Sequence, residues 1–336
     1  MTIWSSYRLR LRRKRLELRS VRKRRELKSI KNNTGNIKNS DILLFSAVKD
    51  EYRLLPYFLK YYRDLGVTHF LFVDNNSTDE GPKFLTEQDD VSLWTTNASY
   101  KKARFGVDWI TYLMKKYGRD HLCVVVDPDE LLVYPYCDTR PLPALTEWLE
   151  SSSIRSLGTI MLDMYPNNAI DEHAYEAGQD PLQSAMWLDS GNYTYEKNEH
   201  MRNLWIQGGP RARKFFDDNP KKAPALNKIP LVKWRKGYVY ESSTHMLLPR
   251  GLNQVYEENG GERISGALLH VKLVNSLPQK AREEIKNSEH YANSYEYAKY
   301  ITGLEEGRSL WNNWSEQYLN WRQLEMLGLM SKGNWA

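Results

Sequence analysis

The chain has 336 residues, 41% hydrophobic and 27% charged, which is enough apolar material for one large domain, or a domain with appendages, and excludes disorder throughout. Its formal charge of +6 is unevenly placed: residues 8–31 hold thirteen Lys and Arg against Glu17 and Glu26, a balance of +11, leaving −5 for the rest. The basic character therefore belongs to an arm, not to a nucleic-acid groove spread over the fold.

In residues 1–31, Trp4, Tyr7, Leu11, Leu18 and Val21 recur at spacings of three, four and seven with arginines between them, which predicts a basic amphipathic helix. Such a helix suits an anionic membrane surface, with Trp4 and Tyr7 at headgroup level, and it suits equally a solvated helix or one that binds a protein partner. Nucleic acid is an unlikely partner because no aromatic stacking platform accompanies the arginines. Polar residues 32–40 read as a linker.

From Asp41 the pattern changes to short apolar runs alternating with helical stretches. Ile42–Val48 is a strand, 51–65 a helix with Leu55, Phe58, Leu59 and Tyr62 on one face, and Gly66 its stop. Residues 69–73 form a second strand, 91–94 a third, Val107–Tyr117 a helix and 122–126 a fourth strand. This β-α-β succession predicts an α/β fold with a mostly parallel, Rossmann-like central sheet flanked by helices. Ligands in such sheets bind beyond the carboxyl ends of the strands, which directs attention to 49–51, 74–78, 98–105 and 127–130.

Residues 136–287 are less regular, with Gly208-Gly209-Pro210, prolines between 220 and 230 and a polar stretch at 193–200; they read as substrate-binding loops over an extension of the sheet. Residues 288–336 are rich in Tyr and Trp, including Trp311, Trp314, Tyr318 and Trp321, and read as a helical tail, either a packed cap or an exposed platform.

The sharpest chemical signal is Cys123-Val-Val-Val-Asp127-Pro-Asp129-Glu130, an apolar strand running into an Asp-x-Asp turn. Alternate carboxylates in a turn can face one hard cation, Mg²⁺ or Mn²⁺, that keeps positions free for phosphate oxygens. Phe72-Val-Asp74-Asn-Asn-Ser-Thr-Asp79 repeats the theme at the second strand end, where an Asp can accept hydrogen bonds from a base or ribose. The two cysteines, Cys123 and Cys137, predict neither a disulfide framework nor a cysteine zinc site, so a reducing compartment fits. No apolar stretch reaches the roughly 18–20 residues of a membrane span and no secretory signal opens the chain, so a cytoplasmic location, including the cytosolic membrane face, is expected.

Phe45-Ser-Ala-Val48-Lys-Asp-Glu51, the run from Tyr61 to Asp79 and Val126-Asp-Pro-Asp-Glu130 resemble the family 2-like glycosyltransferases of GT-A fold, including the related family 92 branch. The resemblance covers about residues 41–135 and is fainter over Gly208–Arg213, Lys228–Leu231 and His270–Lys272. It implies a glycosyltransferase domain over 41–287, with a nucleotide-binding half at 41–135 and an acceptor half at 136–287. It further implies a nucleotide-sugar donor, a glycan or lipid-linked acceptor, and Mn²⁺ or Mg²⁺. By the same resemblance Val48, Glu51 and Asp74 bind nucleotide, Asp127 and Asp129 hold metal, and His270 is a third metal ligand or else a core histidine. Arg104 is the cation expected at the nucleotide, and Arg104, Arg211, Arg213 and Lys228 are the cations available to a diphosphate or acceptor. The family's acidic general-base motif is not evident here; Asp163, Asp189 and Glu196 are the carboxylates at hand, and Asp163 is the expected base. A nucleotidyltransferase would share the sheet and the acids but open with a Gly-rich loop, absent from Val48-Lys-Asp-Glu-Tyr52; a binding protein with a degenerate site is the remaining rival.

Overall fold

A computed structural model describes residues 3–167, 175–256, 263–272 and 309–335. Helix α1 (Ile3–Lys23) leads into β1 (Lys28–Lys31), followed by β2 (Ile42–Val48), α2 (Leu55–Asp64), β3 (His69–Asp74), α3 (Gly81–Thr86), β4 (Val91–Thr95), α4 (Val107–Tyr117) and β5 (Leu122–Val125). The second half carries β6 (Glu130–Val133), α5 (Leu142–Ser151), β7 (Ser156–Asp163), α6 (Pro181–Ser184), β8 (Trp187–Asp189), β9 (Tyr193–Asn198), β10 (Asn203–Gly208) and α7 (Gly209–Phe215). Then come β11 (Asn227–Lys233), β12 (Val239–Ser242), β13 (Met246–Leu248), β14 (Gly266–His270), β15 (Ser315–Gln317) and α8 (Trp321–Met326).

One sheet of nine strands, ordered β1-β4-β3-β2-β5-β11-β7-β14-β6, organises the molecule. Strands β2, β3, β4, β5, β7 and β14 point one way, and β1, β11 and β6 run against them. Alternation along each central strand splits the core into two layers, as a period of two requires. Leu44, Phe70, Phe72 and Val124 face α2, packing with Leu55, Phe58, Leu59 and Tyr62. Leu43, Phe45, Leu71, Val73, Cys123 and Val125 face α4, packing with Trp109, Ile110, Leu113 and Met114. Each such side chain contributes about 1.5–3 kcal/mol on burial, so the two layers fix where the strand ends stand.

The chain order reverses between β2, which continues to β3 and β4 on one side, and β5 on the other. Strand ends diverge at such a switch point and leave a crevice. Beyond β5 the polypeptide turns through 127–129 and crosses to the far edge as β6. There the hydroxyl of Tyr62 on α2 donates to Glu130 O (2.8 Å) and accepts from Leu132 N (3.1 Å).

Several expectations are corrected. The first helix ends at Lys23, not near residue 31, and β1 then pairs with β4 as an edge strand. The expected linker lies against the sheet: Asn33 N donates to Ser92 Oγ (2.9 Å) and Asn33 Nδ2 to Asp89 O (2.8 Å). Residues 193–208, expected as loops, form the hairpin β9–β10. The described part of the tail is not a helical unit: it contains one short strand and the six-residue α8, whose Trp321 is buried while Trp314 is 83% exposed. Tail residues 288–308 lie outside the described residues.

Candidate functional site

At the β2–β4 side of the crevice the polar groups sit on loops that hold one another. Asn75 N donates to Val48 O (2.8 Å), so the ends of β2 and β3 leave the sheet together. Asp74 is buried and accepts from Ser77 N (3.2 Å) and Thr95 Oγ1 (3.2 Å). Asp50, at a φ of 52° that Asp tolerates better than most residues, accepts from Thr78 N (2.6 Å) and Thr78 Oγ1 (3.1 Å). Glu51 stands at the head of α2, its carbonyl accepting from Leu54 N (3.0 Å). Val48, Glu51 and Asp74 thus share one strand-end neighbourhood.

On the other side, strands far apart in sequence bring charged side chains together. Register places His270 beside Asp163 of parallel β7 and opposite Glu130 of β6. His270 Nδ1 lies 2.7 Å from Asp163 Oδ1, and Nε2 lies 3.3 Å from Asp129 Oδ2. Arg211 Nε donates to Asp163 Oδ2 at 2.7 Å, with both side chains buried. Lys228 Nζ lies 2.8 Å from Glu130 Oε1 and 3.9 Å from Asp127 Oδ2. Asp127, Asp129, Asp163, Arg211, Lys228 and His270 therefore converge in one cluster.

Getting Arg211 there needs a glycine. Gly208 has a φ of 138°, and a Cβ at that position would come within 2.0 Å of Asn192 O, so only glycine lets β10 turn directly into α7.

The electrostatics follow from this packing. Burial opposes the charge on Asp163, but Arg211 and then His270 outweigh it and hold the carboxyl down to about 2. Burial likewise opposes a charged His270, and the Asp129 and Asp163 carboxylates overcome it and raise the imidazole to about 9. Burial alone would lower Lys228; Glu130 and Asp127 instead keep its ammonium above the ordinary lysine value. Burial and then Glu130 push Asp127 up to about 7. Because half of the Asp127 side chain is open to solvent, the crowding by Glu130 and Asp129 is the firmer cause.

Three expected roles change. Asp163 has both oxygens engaged and a strongly depressed pKa, which makes it a weak base; it positions His270 and Arg211 instead. Arg104 is built into the packing, donating from Nε to the buried Asp108 (2.8 Å) and from Nη1 to the carbonyls of Tyr240 (3.0 Å) and Glu241 (3.1 Å). Arg213 forms a two-point pair with Asp189 (2.8 and 2.9 Å) and also donates to Leu310 O. That pairing also occupies Asp189, which accepts from Tyr165 Oη as well (2.5 Å).

Two residues of the cluster have no role assigned from the sequence. Glu130, buried against Lys228, stands at the end of the Asp127-Pro-Asp129-Glu130 run, with nothing local to name its partner. His245, in the β12–β13 loop, lies 2.6 Å from Asn227 O through Nδ1; burial and then Lys228 push its imidazole down to about 3, so it is neutral.

Among the described residues no three His, Cys, Asp or Glu side chains form a group that would cage a metal unaided. His270, expected as a third ligand, has a carboxylate at each ring nitrogen, Asp163 at Nδ1 and Asp129 at Nε2. The oxygen donors of Asp127 and Asp129, crowded with negative charge, still fit Mg²⁺ or Mn²⁺. These ions commonly take one or two carboxylates and complete their shell with substrate phosphates and water.

The sheet order defines a mixed α/β, Rossmann-like fold. No protein-family model matches the chain and no curated protein matches it. Among solved structures, 4-diphosphocytidyl-2C-methyl-D-erythritol synthase is similar over 43% of this chain and 67% of its own, at 18% identity and a TM-score of 0.25, too slight a likeness to bear on activity. No helix among the described residues is long and apolar enough to cross a membrane.

Proposed function

We propose that the protein is a glycosyltransferase that moves a sugar from a nucleotide-diphosphate donor, a UDP-sugar by resemblance, to a hydroxyl of a glycan or lipid-linked acceptor. The observation that carries this reading is the pair Asp127 and Asp129 at the end of β5, beside the switch point, with Lys228 and Arg211 buried behind them. The nucleoside lies against the β2–β4 loops, with Asp74 and Glu51 as acceptors for base and ribose donors. Asp127 and Asp129 would hold a divalent cation, whose positive charge would be supplied to the diphosphate of the donor. Lys228 supplies a fixed positive charge from the crevice floor. Arg211 and His270 are held by Asp163 so that their orientation does not depend on ligand. Inversion at the anomeric carbon is the expectation from resemblance.

Nucleotidyl transfer would use the same sheet but calls for a glycine-rich loop after β2, where this chain has Lys49-Asp50-Glu51-Tyr52. A product assay separates the two. Incubated with Mn²⁺ and a panel of UDP-sugars, the protein should release UDP. Pyrophosphate release from a nucleoside triphosphate and a sugar phosphate, without UDP release, would replace glycosyl with nucleotidyl transfer. Neither product from any donor would leave only a binding role.

A further inference from the structure

Helix α1 has two unlike faces. One is fastened to the body: Leu9 and Leu16 pack with Met201, Val239 and Leu248, Arg19 Nε donates to the buried Asp108 (2.6 Å), Glu17 pairs with Lys115, and Arg12 pairs with Glu241. On the opposite face Trp4, Tyr7, Leu11 and Leu18 are 73, 51, 48 and 60% exposed. Helical spacing puts these four in one stripe about 21 Å long. Exposed Arg8, Arg15 and Arg22 follow one flank of the stripe, and exposed Arg10 and Lys14 the other. At its head the rings of Trp4 and Tyr7 meet edge to face, with centroids 6.4 Å apart.

We propose that α1 is a surface anchor that lays this stripe on an anionic phospholipid bilayer. The apolar side chains enter the boundary between headgroups and acyl chains, the two aromatics sit at headgroup level, and the flanking cations meet lipid phosphates. A nucleic-acid duplex would use the same cations but has no use for an exposed Leu11 and Leu18 between them. The opposite face being pinned to α4 and to the β12–β13 hairpin, the bilayer meets the body in one fixed pose. That hairpin carries His245, whose Nδ1 lies 2.6 Å from the carbonyl of Asn227, the residue before Lys228. The inference does not rest on the transfer reading, since it concerns a surface that the reaction does not use.

The test is co-sedimentation of the full chain with phosphatidylcholine vesicles, with and without phosphatidylglycerol. Binding is expected with the anionic lipid and should weaken as salt rises. Replacing Trp4, Tyr7, Leu11 and Leu18 together by Ser should reduce it by at least roughly tenfold, because the apolar contribution is removed. Replacing Arg8, Arg15 and Arg22 by Gln should do so in anionic vesicles only. Both variants should melt with the parent, since these side chains are exposed. Undiminished vesicle binding by the Ser variant would overturn the proposal. So would binding to a DNA duplex with none to anionic vesicles.

Discussion

On the β2–β4 wall of the crevice the polar groups belong to loops and are held by neighbours 3 to 28 residues away, as in Ser77 with Asp74 or Thr78 with Asp50. On the β7–β14 wall they belong largely to strands and are held by partners much farther off, 48 residues between Asp163 and Arg211 and 107 between Asp163 and His270. The first wall is half-open and made of hydrogen bonds. The second is buried and made of charges, each depending on another for its ionisation state. A loop wall can adjust to a base or ribose at small cost, whereas a wall of buried ion pairs offers a fixed field to whatever charge arrives.

The two walls should therefore respond very differently to single substitutions. Arg211→Ala leaves the Asp163 carboxylate buried without its guanidinium and is expected to cost about 3–5 kcal/mol in chemical denaturation. A loss below about 1 kcal/mol would mean that water reaches this wall and that the charges are not locked. Lys228→Met should cost nearly as much through Glu130, and adding Glu130→Leu should recover most of the loss, because an apolar pair of similar size needs no compensation. A double variant no more stable than the single one would show that Lys228 is held by more than Glu130.

The loop wall is expected to be softer. Asp50→Ala removes the acceptor of Thr78 N and should cost about 1 kcal/mol, with Asp50→Asn milder because Asn keeps both the acceptor and the tolerance for positive φ. The smallest effect concerns pH. His69, at the start of β3 with Nε2 3.0 Å from Ser92 Oγ, is held below the ordinary histidine value by burial, against the opposing pull of Asp90 and Asp41. The unfolded chain thus takes up a proton first as pH falls. Its stabilising contribution is complete above the unfolded pKa, about 6.5, and declines below it. His69→Gln should flatten the decline between neutral and mildly acidic pH; an unchanged slope would assign it to other groups.

The same contrast governs what could be read from the sequence. The loop wall was legible because its strands are apolar runs and its acids lie at their ends; α4 was placed at its observed bounds because Val107–Tyr117 carries a clean helical pattern. Asp127 and Asp129 were visible as a turn after a strand. The charged wall was legible residue by residue but not as a set of contacts. Nothing local says that Lys228 will face Glu130, or that Asp163 will be spent on Arg211 and His270, because sheet order decides those pairings. Arg104 and Arg213 show the converse: a cation in a strand-end loop or near a glycine turn looks available until its carboxylate partner, Asp108 or Asp189, is placed beside it. In α1 the periodicity found the apolar stripe, but not that Leu9 and Leu16 on the other side would do the docking.

The most direct test of the central claim is calorimetric titration with UDP, with and without Mn²⁺, on the parent and on Asp129→Asn. The account predicts binding that strengthens with the metal in the parent and loses that dependence in the variant, while the variant's melting temperature stays close to the parent's. Metal-independent UDP binding of equal strength in both proteins, or no UDP binding in either, would contradict it.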